Sequence, residues 1–205
     1  MLKRFVWKEN DVYSIRLKKD LYMPAQLLTK PYAAFYELSS REEDFGGMST
    51  NLNDFAPLGI CMVLNDFFKT CAVVKLTKNF VPRQNVLLPR RFISPDSRQW
   101  GHRSGIAEKD LMYNLVHIDP ARGDQGILGN AVVEWDVPKN DRSCWDAHEM
   151  VGYNTGYELI RRLMLSLEEG RWIDPAKEQA RTGKDPYPLR TLEELRAAGA
   201  LMYDS

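Results

Sequence analysis

The sequence predicts an α+β fold: an antiparallel curled sheet or small barrel built mainly from the amino-terminal half, with carboxy-terminal helices packed on it. Three observations lead there. Short apolar segments of strand length follow one another closely between Asp11 and Leu76. Helical periodicity first becomes clear after Gly156. The early segments are joined by near-adjacent connections, which suit antiparallel pairing better than the long crossovers of a parallel sheet. At 205 residues the chain is long enough for one substantial core. It is therefore expected to form a single domain, with a β-rich part over residues 1–80, a long connection with short strands over 81–145 and a helical part over 146–205.

The first strand is read in Asp11-Val12-Tyr13-Ser14-Ile15-Arg16-Leu17, where Val12 and Ser14 alternate with Tyr13, Ile15 and Leu17. Lys18-Lys19-Asp20 supplies a polar turn, and residues 21–28 return as a hairpin partner. Pro24 in that return strand requires an edge position or a bulge, because it has no N–H for the ladder. After the Thr29-Lys30-Pro31 turn, the aromatic-rich residues 32–38 form a third strand, and the polar, acidic, glycine-containing residues 39–50 form a surface loop. Residues 58–64 and 71–76 flank Asn65-Asp66-Phe67-Phe68-Lys69-Thr70, joined as a hairpin or through a short helical turn, with strands favoured.

Residues 81–105 break the pattern with Pro82, Pro89 and Pro95 and read as an extended surface connection anchored by Leu87, Leu88, Phe92 and Ile93. A connection of that length holds unrecognised short strands or has a functional task. Residues 110–118 and 131–137 are two further strands around the turn chemistry of Asp119 to Gly126. The clearest helix spans residues 156–169, where Leu159, Ile160, Leu163, Met164 and Leu167 make one apolar stripe, and Gly170 suits the position just past its end. Thr191 and Glu194 form a capping box for a last short helix stopped by Gly199. Between the two helices, Asp174-Pro175, Asp185-Pro186 and Pro188 read as a rigid polar connection.

Composition narrows the function. The 28 basic and 28 acidic residues cancel, so no global field recruits nucleic acid or an acidic membrane. No apolar run approaches the roughly twenty residues of a membrane-spanning helix, and the opening MLKRFVWKEND reaches charge too soon for a signal peptide. Cys61, Cys71 and Cys144 are odd in number, form no CxxC and read as reduced thiols, which places the protein in the cytoplasm. No cofactor is expected.

Several constellations invite a chemical reading. His117 and Asp119, two apart on a strand, share a side suited to a metal or to a base with its orienting carboxylate. With His102 and His148 as the remaining histidines, however, no full ligand set can be named, and no metal is expected. Cys144 and His148 would share one helix face as nucleophile and base, without any family signature; a hydrolase using His117 and Asp119, or Cys144 and His148, is an alternative reading. Gly123, Gly126 and Gly129 match no phosphate-binding pattern. Arg83, Arg90, Arg91, Arg98 and Arg103, with Phe92 and Trp100 interleaved, outline an alternative as a nucleic-acid platform, disfavoured by the zero net charge; arginines bonded to carboxylates within the protein are the preferred reading. Two acidic surfaces fit recognition of a protein partner. One is the loop Glu42-Glu43-Asp44-Phe45. The other is the set Glu134, Asp136, Asp141, Asp146 and Glu149, accompanied by Trp135 and Trp145, aromatics suited to anchoring interfaces.

The run Trp7-Lys8-Glu9-Asn10-Asp11-Val12-Tyr13-Ser14-Ile15-Arg16-Leu17, then Lys19-Asp20-Leu21-Tyr22, Ala25-Gln26-Leu27-Leu28 and Ala34-Phe35-Tyr36, resembles the opening of the immunity protein 26 family over about the first eighty residues. Asn10 stands where that family commonly has Gly; Asn also tolerates tight-turn geometry. The resemblance implies a bacterial immunity protein of a polymorphic or contact-dependent toxin system, which binds the carboxy-terminal domain of its cognate toxin and blocks its active site or partner surface. A nuclease is the toxin class that acidic loops would suit. The matched positions build scaffold, so the resemblance carries over no catalytic residue, and no enzyme activity is expected.

Overall fold

The alternation read between Asp11 and Tyr36 folds as two successive hairpins. β1 (Val12–Lys18) turns into β2 (Leu21–Leu27), and β3 (Tyr32–Tyr36) follows. Asp20, in the first turn, has φ of 55°, a left-handed geometry that a short polar side chain tolerates. After the two-residue β4 (Thr50–Asn51), β5 (Pro57–Met62) pairs with β3, and β6 (Ala72–Lys75) pairs with β1. The result is an antiparallel sheet in the order β5-β3-β2-β1-β6. It is open, not closed into a barrel. In this computed structural model the described residues are 5–99, 106, 110–119, 131–154 and 156–200. Backbone proximity divides the chain into two units: Met1–Leu87 with Tyr153–Ile173 and Pro188–Ser205, and Leu88–Gly152 with Asp174–Tyr187.

In the first unit, β5 and β6 lie on opposite edges, so the hairpin considered for them does not form. Both run in the same direction, and α1 (Asn65–Cys71) carries the chain between them, burying Phe67, Phe68 and Cys71. Pro24 also corrects its expectation, because β2 is an interior strand with no bulge at that position. It is tolerated because the β2–β3 ladder begins only at Ala25, while Tyr22 on the same side bonds Ser40 in an isolated bridge. The missing N–H therefore faces a gap between the two.

Both faces of this sheet are covered, which is why Val12 and Ser14 are buried as well as Tyr13 and Ile15. On one face Tyr13, Ile15, Leu17, Met23, Leu27 and Phe35 pack with α1, with Leu159, Ile160 and Leu163 of α3 (Gly156–Glu169) and with Leu195 of α5 (Leu192–Ala197). The other face holds a polar knot. The Tyr36 hydroxyl donates to Gln26 Oε1 at 2.8 Å, the same oxygen accepts from the Arg83 backbone at 2.9 Å, and Gln26 Nε2 donates to the Arg83 carbonyl at 2.8 Å. Phe80, on the two-residue β7 (Phe80–Val81) that pairs with β4, lies alongside the ring of Phe45. Behind α3, Trp172 stacks on Phe35 and takes the Arg162 guanidinium over its ring at 4.2 Å. It lies so close to Gly59 that a Cβ there would come within 2.0 Å of the indole.

The second unit contains β8 (Arg91–Pro95), β9 (Tyr113–His117), β10 (Ala131–Glu134) and β11 (Glu149–Met150) in the order β10-β9-β8-β11, with β11 parallel to β8. β8 is a strand inside the stretch read as an extended connection, whereas β9 and β10 are the two strands the sequence predicts. The Asp119 to Gly126 turn beyond Asp119, with Gly123, Gly126 and Gly129, lies outside the described residues. Ile93, Tyr113, Leu115, Val137, Cys144, Trp145 and Ala180 form this unit's core. Two helices were not expected as such: α2 (Arg142–Ala147), capped by Asp141, and α4 (Pro175–Thr182), capped by Asp174 with Pro175 in its first turn.

Candidate functional site

The acidic loop of the first unit owes its shape to one inward-facing aromatic. Phe45 is buried, 5.2 Å from Phe80 in an edge-to-face contact, so it belongs to the core and not to an exposed recognition surface. Phe45, Gly46 and Gly47 all have positive φ, a run that turns the chain sharply and that two glycines make inexpensive. Asp44 accepts from the Gly46 N–H at 3.0 Å, and the Phe45 N–H donates to the Glu42 carbonyl at 3.1 Å. Glu42, Glu43 and Asp44 are left exposed on a backbone fixed from beneath.

The second acidic set separates into surface and scaffold. Trp145 is fully buried against Tyr113, with its indole N–H on the Pro138 carbonyl at 3.1 Å. Asp141 accepts from the Ser143 hydroxyl and then from the Cys144 N–H, which hold its carboxyl below the ordinary carboxylate range. Asp146 is exposed on α2, and Glu149 is half-buried in β11. Glu134, Trp135 and Asp136 remain outward, with Trp135 52% exposed. The residue that organises them is Arg98, from the arginine-containing stretch. Its guanidinium lies 4.4 Å from the Trp135 ring centroid, bonds Asp136 at 2.7 Å and pairs with the buried Asp96. That pairing, chiefly the hydrogen bonds from Arg98, lowers the Asp96 pKa. No local signal links Arg98 to a partner 38 positions away.

Cys144 and His148 do meet, with Sγ 3.8 Å from Nδ1. The same nitrogen lies 2.9 Å from the Cys144 carbonyl, and a carbonyl only accepts. Nδ1 must therefore carry the proton and has no lone pair to take one from sulfur. Burial, then Asp141 and Glu134, raises the thiol pKa, the opposite of an activated nucleophile. His117 ends β9 between Arg91 and Ala131, and among the described residues no cluster of three metal-ligating side chains exists. A cleft of 320 Å³ beside α1, lined in part by Lys30, Asn65, Lys69 and Tyr153, contains none of these candidates.

The arginine stretch forms no single platform among the described residues. Arg83 is committed to the carbonyls of Asn53 and Phe55 at 3.0 and 2.7 Å, Arg98 to carboxylates, and Phe92 is buried. Arg90 and Arg91 are exposed, while Trp100, His102 and Arg103 lie outside the described residues. Among the described residues, no helix is long and apolar enough to cross a membrane.

A family model described as "Domain of unknown function (DUF8309)" matches residues 2–183. No curated protein and no solved structure matches the chain.

Proposed function

The chain belongs to the DUF8309 family. We propose that it is a bacterial immunity protein, binding the carboxy-terminal domain of a cognate toxin in the cytoplasm and blocking its active site or a surface it needs. The observation that carries this reading is the set of exposed carboxylates, Glu42, Glu43 and Asp44, presented on a loop pinned by Phe45. Such a set speeds encounter with a cationic surface and excludes partners of the wrong charge, and a fixed backbone reduces the ordering cost of binding. Against a nuclease, one of the two acidic surfaces, the 42–44 loop or that of Asp136 to Glu149, would stand where substrate phosphates otherwise bind. The resemblance of the first eighty residues supports the same reading; most of its matched residues build β1, β2 and β3.

The test is a titration of the protein with the toxin domain encoded beside its gene. The triple variant E42K/E43K/D44K is expected to slow association by about tenfold or more at low salt, with the difference shrinking as salt screens the charges. A complex whose association rate withstands this triple variant, and likewise the pair E134K/D136K, would sink the electrostatic mechanism.

A further inference from the structure

The outer edge of β10 combines three features that rarely coincide on a surface with no partner. β10 is the last strand of its sheet, and among the described residues no strand pairs with its far side. An open edge is a template for another strand, and proteins commonly blunt it. β10 is short and its register with β9 shifts between Val132 and Glu134, yet the edge carries Val133 at 48% exposure and, directly after the strand, Trp135 at 52%. The indole is held in place: Arg98 lies over one face at 4.4 Å and is itself fixed by Asp136 and the buried Asp96. A large aromatic that is exposed yet already ordered loses little freedom on binding, which is the property of an interface anchor.

Charge indicates what the edge would receive. Glu134 and Asp136 are exposed beside Trp135, and among the described residues they and the buried Asp96 set three carboxylates around the guanidinium of Arg98. A lysine- or arginine-bearing segment complements that balance, and its aliphatic stems can cover Val133 and the indole.

We propose that the β10 edge, with Trp135 as anchor, is the docking surface for the toxin domain, which presents an extended basic segment that adds to the sheet as a further strand. The proposal rests on the immunity reading and assigns it a surface. The carboxylates of the 42–44 loop act on encounter over distance and need not lie in this contact.

The experiment titrates the neighbouring-gene toxin domain against the wild-type chain, W135A, W135F and V133K, and follows amide exchange of residues 131–134 with and without toxin. All four proteins should fold, because both side chains are half exposed. W135A is expected to weaken binding by about thirtyfold or more, the loss that marks an anchor. V133K should also weaken it, W135F should largely restore it, and toxin should slow exchange along β10. If the wild type binds but W135A and V133K bind within twofold of it, or if exchange at 131–134 does not change, the edge assignment is overturned while the immunity reading stands. If the wild type leaves the toxin domain unbound, the immunity reading fails and the edge assignment falls with it. Protection of β10 by self-association of the chain alone, abolished in W135A, would assign the edge to a second copy and overturn the proposal.

Discussion

Trp135 and Trp145 stand in similar acidic surroundings in the sequence, yet they have opposite tasks. Asp141 caps α2 and so fixes which face of that short helix turns inward, placing Trp145 against Tyr113. Trp145→Ala is therefore expected to cost about 3–5 kcal/mol of stability in urea unfolding. Trp135→Ala should change stability by no more than about 0.5 kcal/mol. Nothing in local pattern distinguishes the two, because the distinction depends on packing with distant residues. Phe45 teaches the same lesson: an aromatic within a polar loop reads as a recognition residue until its partner Phe80 is known. At Gly59 the constraint is steric. Gly59→Ala places a Cβ inside the Trp172 ring and should destabilise the protein by about 2 kcal/mol or more. In a Trp172→Ala background the same change should cost far less, and the double-mutant cycle measures that coupling.

At the scale of elements, helices were legible where periodicity or a capping signature stood alone. α3 and the Thr191–Glu194 capping box of α5 match their sequence signals. The sequence of α4 reads as a rigid connection because Asp174-Pro175 looks like a break. The same pair is also an N-cap followed by proline at the one helical position where its missing N–H costs nothing, and Gly183, with φ of 77°, ends the helix. Asp174→Ala should lower stability by about 1 kcal/mol and reduce helical circular dichroism. β8 was obscured by the flanking prolines Pro89 and Pro95, although Pro95 occupies only its last position. The β5–α1–β6 crossing was not legible because only tertiary pairing decides that β6 joins β1 and not β5. Pro24 was misplaced for a related reason: whether a strand is interior depends on where its neighbours begin.

For the whole molecule, zero net charge directs attention to local surfaces, and titration of buried groups lowers stability at alkaline pH. Burial raises the Cys71 thiol from 9.0 to about 12, and burial with the nearby Asp11 raises Tyr13 from 10.0 to about 12. Both groups favour the neutral form when folded, so their contribution is complete below pH 9. It is lost as pH rises from 9 towards 12, because the unfolded chain releases these protons first. Urea unfolding at pH 8, 9.5 and 11 should show that decline, reduced in Cys71→Ala relative to that variant's own stability at pH 8. The acidic surfaces were legible from composition, but their division into anchor, cap and exposed carboxylate was not, since Arg98 joins Trp135 and Asp136 only through the fold. The central claim is neutralisation of a toxin, and it is tested most directly by co-expressing this chain with the toxin domain of the adjacent gene in a sensitive host. The account predicts restored growth and a co-purifying complex. Growth arrest that persists beside abundant, folded protein, with no complex recovered, would contradict it.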